Sequence, residues 1–176
     1  MTLYLLRHAI AAPRDAKRYP DDGKRPLTAK GAERMRAAAR GIRALGLRPR
    51  RIHSSPLLRC MQTAEILAAE LRPNPSVIPT PQLGPEGSAR AVLKSLHAER
   101  PQRDVLLVGH EPDLSELASL LLDGSGRTAF VKMKKAAFCR IDIEGVPDAG
   151  RGRLAYLLPP RILRQLARSI PKRRTR

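Results

Sequence analysis

Arginine and histidine side chains lie at the ends of three short apolar runs, each with the pattern of a buried strand. Arg7 and His8 end the first run. Ser55 follows the second run, with Arg59 one helical turn further on, and His110 follows the third run. Open α/β sheets bind ligands just outside the carboxyl ends of their strands. If the three runs are neighbouring parallel strands, these side chains meet in one pocket.

Such a pocket would suit a doubly charged anion, and in particular a phosphoryl group. Phosphoryl transfer asks a protein mainly for positioning and for positive charge around the equatorial oxygens. Arginine supplies that charge with a fork of donors that matches phosphate. A neutral imidazole can be the nucleophile, because its pKa lies near neutrality and one ring nitrogen keeps a lone pair. This chemistry requires neither a metal ion nor a cofactor.

The sequence around these residues alternates between strand and helix patterns. Thr28 is a typical N-cap for a helix of apolar periodicity that is stopped by Gly46. Pro56 is well placed in the first turn of the helix that contains Arg59. An arginine there opposes the helix macrodipole, and such unfavourable local choices tend to mark functional sites. Helices are predicted over residues 29–45, 56–71, 88–99, 113–122 and 160–170.

The strand patterns predict a three-layer α/β/α sandwich with a mostly parallel central sheet. The run 105–108 is apolar throughout, as a central parallel strand should be, and 77–78 is a short edge strand between prolines. The runs 136–143 and 153–158 predict an antiparallel pair at the sheet edge. We expect a single domain over residues 1–171, followed by a basic tail over residues 172–176.

The polar segment 11–26 follows His8 almost directly and shows no apolar period. It contains three prolines, one glycine and charges throughout. A loop of this length inside a compact domain is usually functional or disordered. We therefore expect this loop to border the pocket.

The charge balance suggests nucleic-acid binding, but the rest of the composition argues against it. With 34 Lys and Arg against 16 Asp and Glu, the formal net charge is +18. The chain has three tyrosines, two phenylalanines and no tryptophan, so few side chains could stack on bases. The basic residues are also scattered over every predicted helix. We therefore do not expect nucleic-acid binding.

Nothing in the sequence predicts a membrane span, a signal peptide or a disulfide. No apolar run approaches the roughly 20 residues that a spanning helix needs, and the first residues enter a strand pattern. We therefore expect a cytoplasmic protein without membrane contact. Cys60 and Cys139 lie in apolar surroundings without metal-ligand spacing, so we expect two buried thiols.

Four stretches of the sequence together resemble a known family. Three lie at the strand ends, over residues 6–9, 54–64 and 108–112, and the fourth precedes the first helix, over residues 25–31. The strand-end motifs occur in the right order and on the right elements. The chain is similar over nearly its whole length to the histidine phosphatase superfamily, whose fold is phosphoglycerate mutase-like. It most resembles the compact branch of SixA-type phosphohistidine phosphatases.

This resemblance implies a role for each charged residue at the strand ends. His8 would be the nucleophile, which takes up the phosphoryl group as a phosphohistidine that water then hydrolyses. Arg7, Arg59 and His110 would surround the phosphoryl group.

Three further residues follow from the same resemblance. Ser55 and Thr28 would take part in phosphate binding by orienting the charged groups. Many family members carry a glutamate after the second helix and its strand, which protonates an alcohol leaving group, and the candidate here is Glu86. The family's usual Arg-His-Gly is Arg-His-Ala in this chain, so Ala9 lacks the conformational freedom of glycine.

The implied activity is that of a metal-independent phosphatase acting on phosphohistidine in a protein. The leaving nitrogen of a phosphoramidate is protonated more readily than an ester oxygen, and the short chain leaves little room for a roof over the pocket. Two alternatives stay open: a phosphatase of small phosphate esters, and a non-catalytic basic module that binds phosphate or nucleic acid. We expect a monomer.

Overall fold

A computed structural model of the chain describes residues 1–99, 104–124 and 131–169. In this part of the chain, six strands form one mixed sheet. They are β1 (Thr2–Arg7), β2 (Arg51–Ser54), β3 (Ser76–Pro79), β4 (Val105–Gly109), β5 (Phe138–Ile143) and β6 (Gly152–Leu158). Their order across the sheet is β3-β2-β4-β1-β5-β6. The predicted basic tail and the last two residues of the predicted domain lie outside the described residues.

Within the described residues, five α-helices cover the two faces of this sheet. They are α1 (Ala29–Ala44), α2 (Leu58–Glu70), α3 (Ala89–Glu99), α4 (Asp113–Asp123) and α5 (Pro160–Ser169). Leu3 and Leu5 of β1 lie in a core shared with α3 and α4, whereas Tyr4 and Leu6 lie in a core shared with α1, α2 and α5. Alternate residues of a strand face opposite sides, so β1 is buried on both. The predicted three-layer sandwich is confirmed.

Three parallel strands end at the same edge of the sheet. β4 lies between β1 and β2 and pairs with both in parallel. The pairing continues past the strand ends, since His8 N donates to Gly109 O at 3.0 Å and Ser55 N donates to Val108 O at 2.9 Å. The chain segments after β1, β2 and β4 therefore leave the sheet side by side, as the sequence predicts.

The segment before β5 is bound to the end of β1. Ala136 N lies 3.1 Å from Arg7 O and 3.2 Å from His8 O, and Arg7 N donates to Ala137 O at 3.2 Å. Ala136 has φ 61°, a left-handed conformation that costs a residue with a side chain about 1 kcal/mol or more. β5 and β6 form the predicted antiparallel pair, but β5 pairs with β1, so β6 alone is the edge strand of this pair.

The start of α2 differs from the prediction. The helix begins at Leu58, and its N-cap Leu57 has an extended backbone with φ −63° and ψ 132°. Pro56 therefore precedes the helix and is not in its first turn. Arg59 does lie in the first turn of α2, as predicted.

In the described part of the chain, no helix is both long and apolar enough to cross a membrane.

The start of α1 is fastened to the segment that follows His8. Thr28 caps the helix by accepting a hydrogen bond from Gly31 N, and both its backbone N and its hydroxyl donate to Ile10 O, at 3.0 and 3.3 Å. A Cβ on Gly31 would clash with Ile10 O, so only glycine permits this approach. These contacts fix the backbone of the segment that directly follows His8 in the chain.

Candidate active site

Two buried imidazoles meet where β1 and β4 end. The ring centroids of His8 and His110 are 5.2 Å apart and the rings are inclined by 57°. His8 is 7% exposed and His110 is 9% exposed. His8 Nδ1 lies 2.7 Å from Ala9 O, and since a carbonyl can only accept, Nδ1 carries the proton. The lone pair of His8 is therefore on Nε2.

Both imidazoles are neutral at neutral pH. Burial lowers the pKa of His8 to about 3, with further lowering by His110, Arg59 and Arg7, whereas the hydrogen bond to Ala9 O acts in the opposite direction. Burial also lowers the pKa of His110 to about 4, followed by the effects of Arg59 and Arg7. A neutral ring with Nε2 unprotonated is the form in which histidine can attack an electrophile.

Two arginines lie beside these rings, and each is held by one end of its guanidinium group. Arg7 Nη1 donates to Met133 O at 2.7 Å. Arg59 Nη1 donates to Asp22 O at 2.9 Å, and its Nη2 lies 3.1 Å from Asp22 Oδ2. The Nε atoms of Arg7 and Arg59 are the only buried side-chain nitrogens or oxygens of the described residues without a hydrogen-bond partner. Each arginine thus has one buried N–H group whose hydrogen bond the described residues do not satisfy.

Asp22 holds several arginines together, a role that sequence reasoning missed. Besides Arg59, its carboxylate contacts Arg25 Nε at 2.8 Å and Arg14 Nε at 3.8 Å. Arg25 is itself buried and donates to Ala12 O at 2.7 Å. The hydrogen bond from Arg25 is the largest factor that lowers the pKa of Asp22, with Arg59 adding to it. One sequence feature did indicate this role, because loop 11–26, which contains Asp22, was predicted to border the pocket.

Ser55 contacts His110 directly. Its hydroxyl lies 2.8 Å from His110 Nε2, so that nitrogen is occupied within the protein. Cys60 Sγ lies 3.4 Å from the same nitrogen, and burial raises the pKa of this thiol to about 12. Cys60 is therefore a protonated, buried thiol, as predicted, but it packs against a site histidine, which its sequence context did not indicate. This contact places the Ser55 hydroxyl against the ring of His110.

The structure does not bring Thr28 or Glu86 into the cavity that contains these groups. Thr28 is occupied as the N-cap of α1, and Glu86 is exposed in the turn before α3, where its neighbour Pro85 lines the cavity instead. The acidic side chains that do line the cavity are Asp15, Asp21, Asp22, Glu111 and Asp113. The assignment of Glu86 as the acid therefore stays a prediction, with its side chain exposed beside the cavity.

The cavity has a volume of about 1020 Å³ and contains Arg7, His8, Arg59 and His110 in its wall. Loop 11–26 forms much of its rim with exposed residues, so the cavity opens to solvent and the predicted place of this loop is confirmed. The lining includes as many basic side chains as acidic ones, namely Arg7, Arg14, Arg25, Arg59 and Lys135. Attraction for an anion must therefore come from the placement of these charges, since their sum is near zero.

Comparisons with known proteins agree with this geometry. Residues 3–84 match the family profile described as histidine phosphatase superfamily, branch 1. An uncharacterized protein of Picosynechococcus sp. strain PCC 7002 is 47% identical over 127 residues, which cover 70% of this chain and 74% of that protein. Phosphohistidine phosphatase SixA of Escherichia coli strain K12 is 27% identical over 162 residues, covering 91% of this chain and 94% of SixA.

A solved structure extends the similarity to the fold. The protein histidine phosphatase SixA complexed with tungstate superposes with a TM-score of 0.78 at 27% identity, over 93% of this chain and 99% of that one. Sheet, strand ends and cavity thus define a phosphatase of the SixA-like, phosphoglycerate mutase-like class. The chain belongs to the histidine phosphatase superfamily.

The low pKa values of the two site histidines predict their charge in mildly acidic solution. At pH 5.5 a histidine with the ordinary pKa of about 6.5 is mostly protonated, whereas His8 and His110 should remain neutral because protonation would bury a charge beside two arginines. Side-chain ¹⁵N NMR would measure this, with the signals assigned from His8→Asn and His110→Asn. Protonated rings at pH 5.5 would contradict the electrostatics of the site.

Proposed function

We propose that this chain is a metal-independent phosphatase in which His8 is the nucleophile and Arg7, Arg59 and His110 hold the phosphoryl group. The supporting observation is that Arg7, Arg59 and His8 line one cavity, and that each of the two guanidinium groups has a buried Nε atom without a hydrogen-bond partner. Phosphoryl oxygens are the natural acceptors for such donors. Buried, charged N–H groups without an acceptor destabilise the folded protein unless a ligand accepts their hydrogen bonds.

The first step transfers the phosphoryl group to the protein. The lone pair on His8 Nε2 attacks phosphorus, the bond from phosphorus to the leaving atom breaks, and the leaving atom takes up a proton from solvent or from an acid of the cavity. Arg7 and Arg59 bind the equatorial oxygens, where negative charge is spread in the transition state. The hydrogen bond from Nδ1 to Ala9 O stabilises the positive charge that the ring gains during the attack.

The second step releases phosphate and restores the ring. A water molecule attacks phosphorus, the bond to His8 Nε2 breaks, and one proton of the water passes to solvent or to a base of the cavity. The same guanidinium groups serve both transition states, because the phosphoryl group stays in place while the attacking and leaving atoms exchange. No step needs a metal ion, since the arginines supply the positive charge.

We further propose phosphohistidine in a protein as the substrate. The similarity to SixA supports this class of substrate, and so does the rim of exposed residues, which would let a side chain of another protein reach the cavity. An imidazole leaving group is easily protonated, so the reaction depends less on an acid than ester hydrolysis does. A partner that is itself phosphorylated is therefore the macromolecule that this site would bind.

Hydrolysis of a small phosphate ester is the second candidate function. A cavity of about 1020 Å³ is large enough for a small phosphorylated metabolite. Five carboxyl groups line it, and any that lies near the leaving oxygen could protonate it. The two candidates differ in the leaving group and share the phosphoryl site.

Replacement of the nucleophile tests the proposed chemistry. His8→Ala should lower turnover of p-nitrophenyl phosphate by more than about 10³-fold, because no other group can form the covalent intermediate. The matched control is His53→Ala, which removes a half-buried histidine bonded to Thr80 at 3.2 Å, outside the cavity wall, and should keep its activity. EDTA should not inhibit. Full turnover by His8→Ala would exclude this mechanism.

A panel of phosphorylated compounds tests the proposed substrate. Phosphohistidine in a carrier protein should be hydrolysed with a higher kcat/KM than p-nitrophenyl phosphate, phosphoglycerate or sugar phosphates, because its leaving nitrogen is readily protonated. The release of phosphate would be measured for each compound at the same pH and salt concentration. A higher kcat/KM for one of the small esters would assign the second candidate function.

A further inference from the structure

The backbone of Met133 connects a carboxylate to one of the two site arginines. Met133 is fully buried, and both of its backbone polar groups are used: its N–H donates to Glu111 Oε1 at 2.9 Å, and its carbonyl accepts from Arg7 Nη1 at 2.7 Å. Arg7 and Glu111 belong to different strand ends. One buried residue therefore carries a continuous chain of hydrogen bonds from Glu111 to the guanidinium group of Arg7.

Glu111 is itself held in a fixed position. It follows His110 directly, it lines the cavity, and the hydroxyl of Ser115 in the first turn of α4 donates to the same Oε1 atom at 2.7 Å. Two donors on one oxygen leave the carboxylate little freedom to rotate. The hydrogen bond from Met133 N–H to Glu111 Oε1 fixes the peptide unit that comes directly before the Met133 carbonyl in the chain.

The contact with Met133 O holds one end of the Arg7 guanidinium group. With Nη1 bound to Met133 O, the Nε atom has no partner in the protein. A shift of the Met133 carbonyl would therefore move the guanidinium group relative to the cavity that Arg7 lines. Positioning within a few tenths of an ångström matters for a bidentate contact, because both donors must point at acceptors simultaneously.

We propose that Glu111 is a positioning residue for Arg7, which it orients toward the phosphoryl group through the backbone of Met133. The proposal rests on the proposed function only in naming a phosphoryl group as the anion. Asp22 has the corresponding position beside Arg59, but contacts it directly. Each site arginine would then be aimed by its own carboxylate, from a different loop.

A proton-transfer role for Glu111 would give different results, and the Gln variant separates the two. Glu111→Gln keeps an oxygen at Oε1 that can accept from Met133 N and Ser115, but it has no titratable proton. Under the positioning role, this variant should keep most of the anion affinity and most of kcat. Under a proton-transfer role, it should lose kcat while the anion affinity stays unchanged.

The test is a double-mutant cycle with tungstate, a dianion that resembles phosphate in shape. Glu111→Ala should weaken tungstate binding about tenfold in an otherwise unchanged chain, and should have no further effect in an Arg7→Ala background, because residues that act through one another are not additive. Calorimetry would measure the affinities. Ser115→Ala should weaken tungstate binding less than Glu111→Ala, since it removes one of the two donors to Oε1 and leaves the Met133 bond in place. His53→Ala is the control, since His53 lies outside the cavity wall, and it should bind tungstate as the unchanged chain does.

Three results would overturn the proposal. They are unchanged tungstate affinity in Glu111→Ala, an equal loss in the presence and absence of Arg7, or loss of kcat at unchanged affinity in Glu111→Gln. If Glu111→Ala does not fold, Glu111→Asp supplies the same cycle, because its shorter side chain keeps the charge but cannot reach Met133 N. Affinity is measured without turnover, so a chain that shows this coupling but hydrolyses nothing would refute the proposed function and leave the positioning role intact.

Discussion

The site depends on two arginine side chains, Arg7 and Arg59, whose positive charges are shielded from water beside two histidine rings. Arg59 is only 6% exposed, and a buried guanidinium group is tolerated only when acceptors surround it. Asp22 provides them for Arg59, and the Met133 carbonyl provides one for Arg7. Together with burial, the same charges keep His8 neutral, so one arrangement produces both the anion ligands and an unprotonated nucleophile.

The sequence was sufficient to predict the architecture that brings these groups together. Apolar runs that end in Arg7-His8, Ser55 and His110 predict parallel strands, and parallel neighbours end at one edge of a sheet by geometry alone. That is why the placement of residues about fifty positions apart could be predicted without an alignment. The start of α2 was wrong by two residues, because the extended backbone of Leu57 separates Pro56 from the helix.

The supporting residues could not be predicted in this way. Asp22, Arg25 and Glu111 reach the site through loops, and the path of a loop is set by tertiary contacts and not by periodicity. Glu86 was predicted as the acid from its position in a loop as well. In the structure, its neighbour Pro85 lines the cavity and Glu86 does not. The role of Met133 lies entirely in its backbone, which leaves no trace in the side-chain pattern.

The net charge of +18 contributes less to the site than it suggests, because acidic and basic side chains are balanced in the cavity wall. Anion binding must then depend on the orientation of the two arginines beside His8. A crystal structure of the chain with bound tungstate tests this most directly. The account predicts tungstate next to His8 Nε2, with oxygens that accept from Nε of both Arg7 and Arg59. Tungstate bound elsewhere, or bound with both Nε atoms still unpaired, would contradict it.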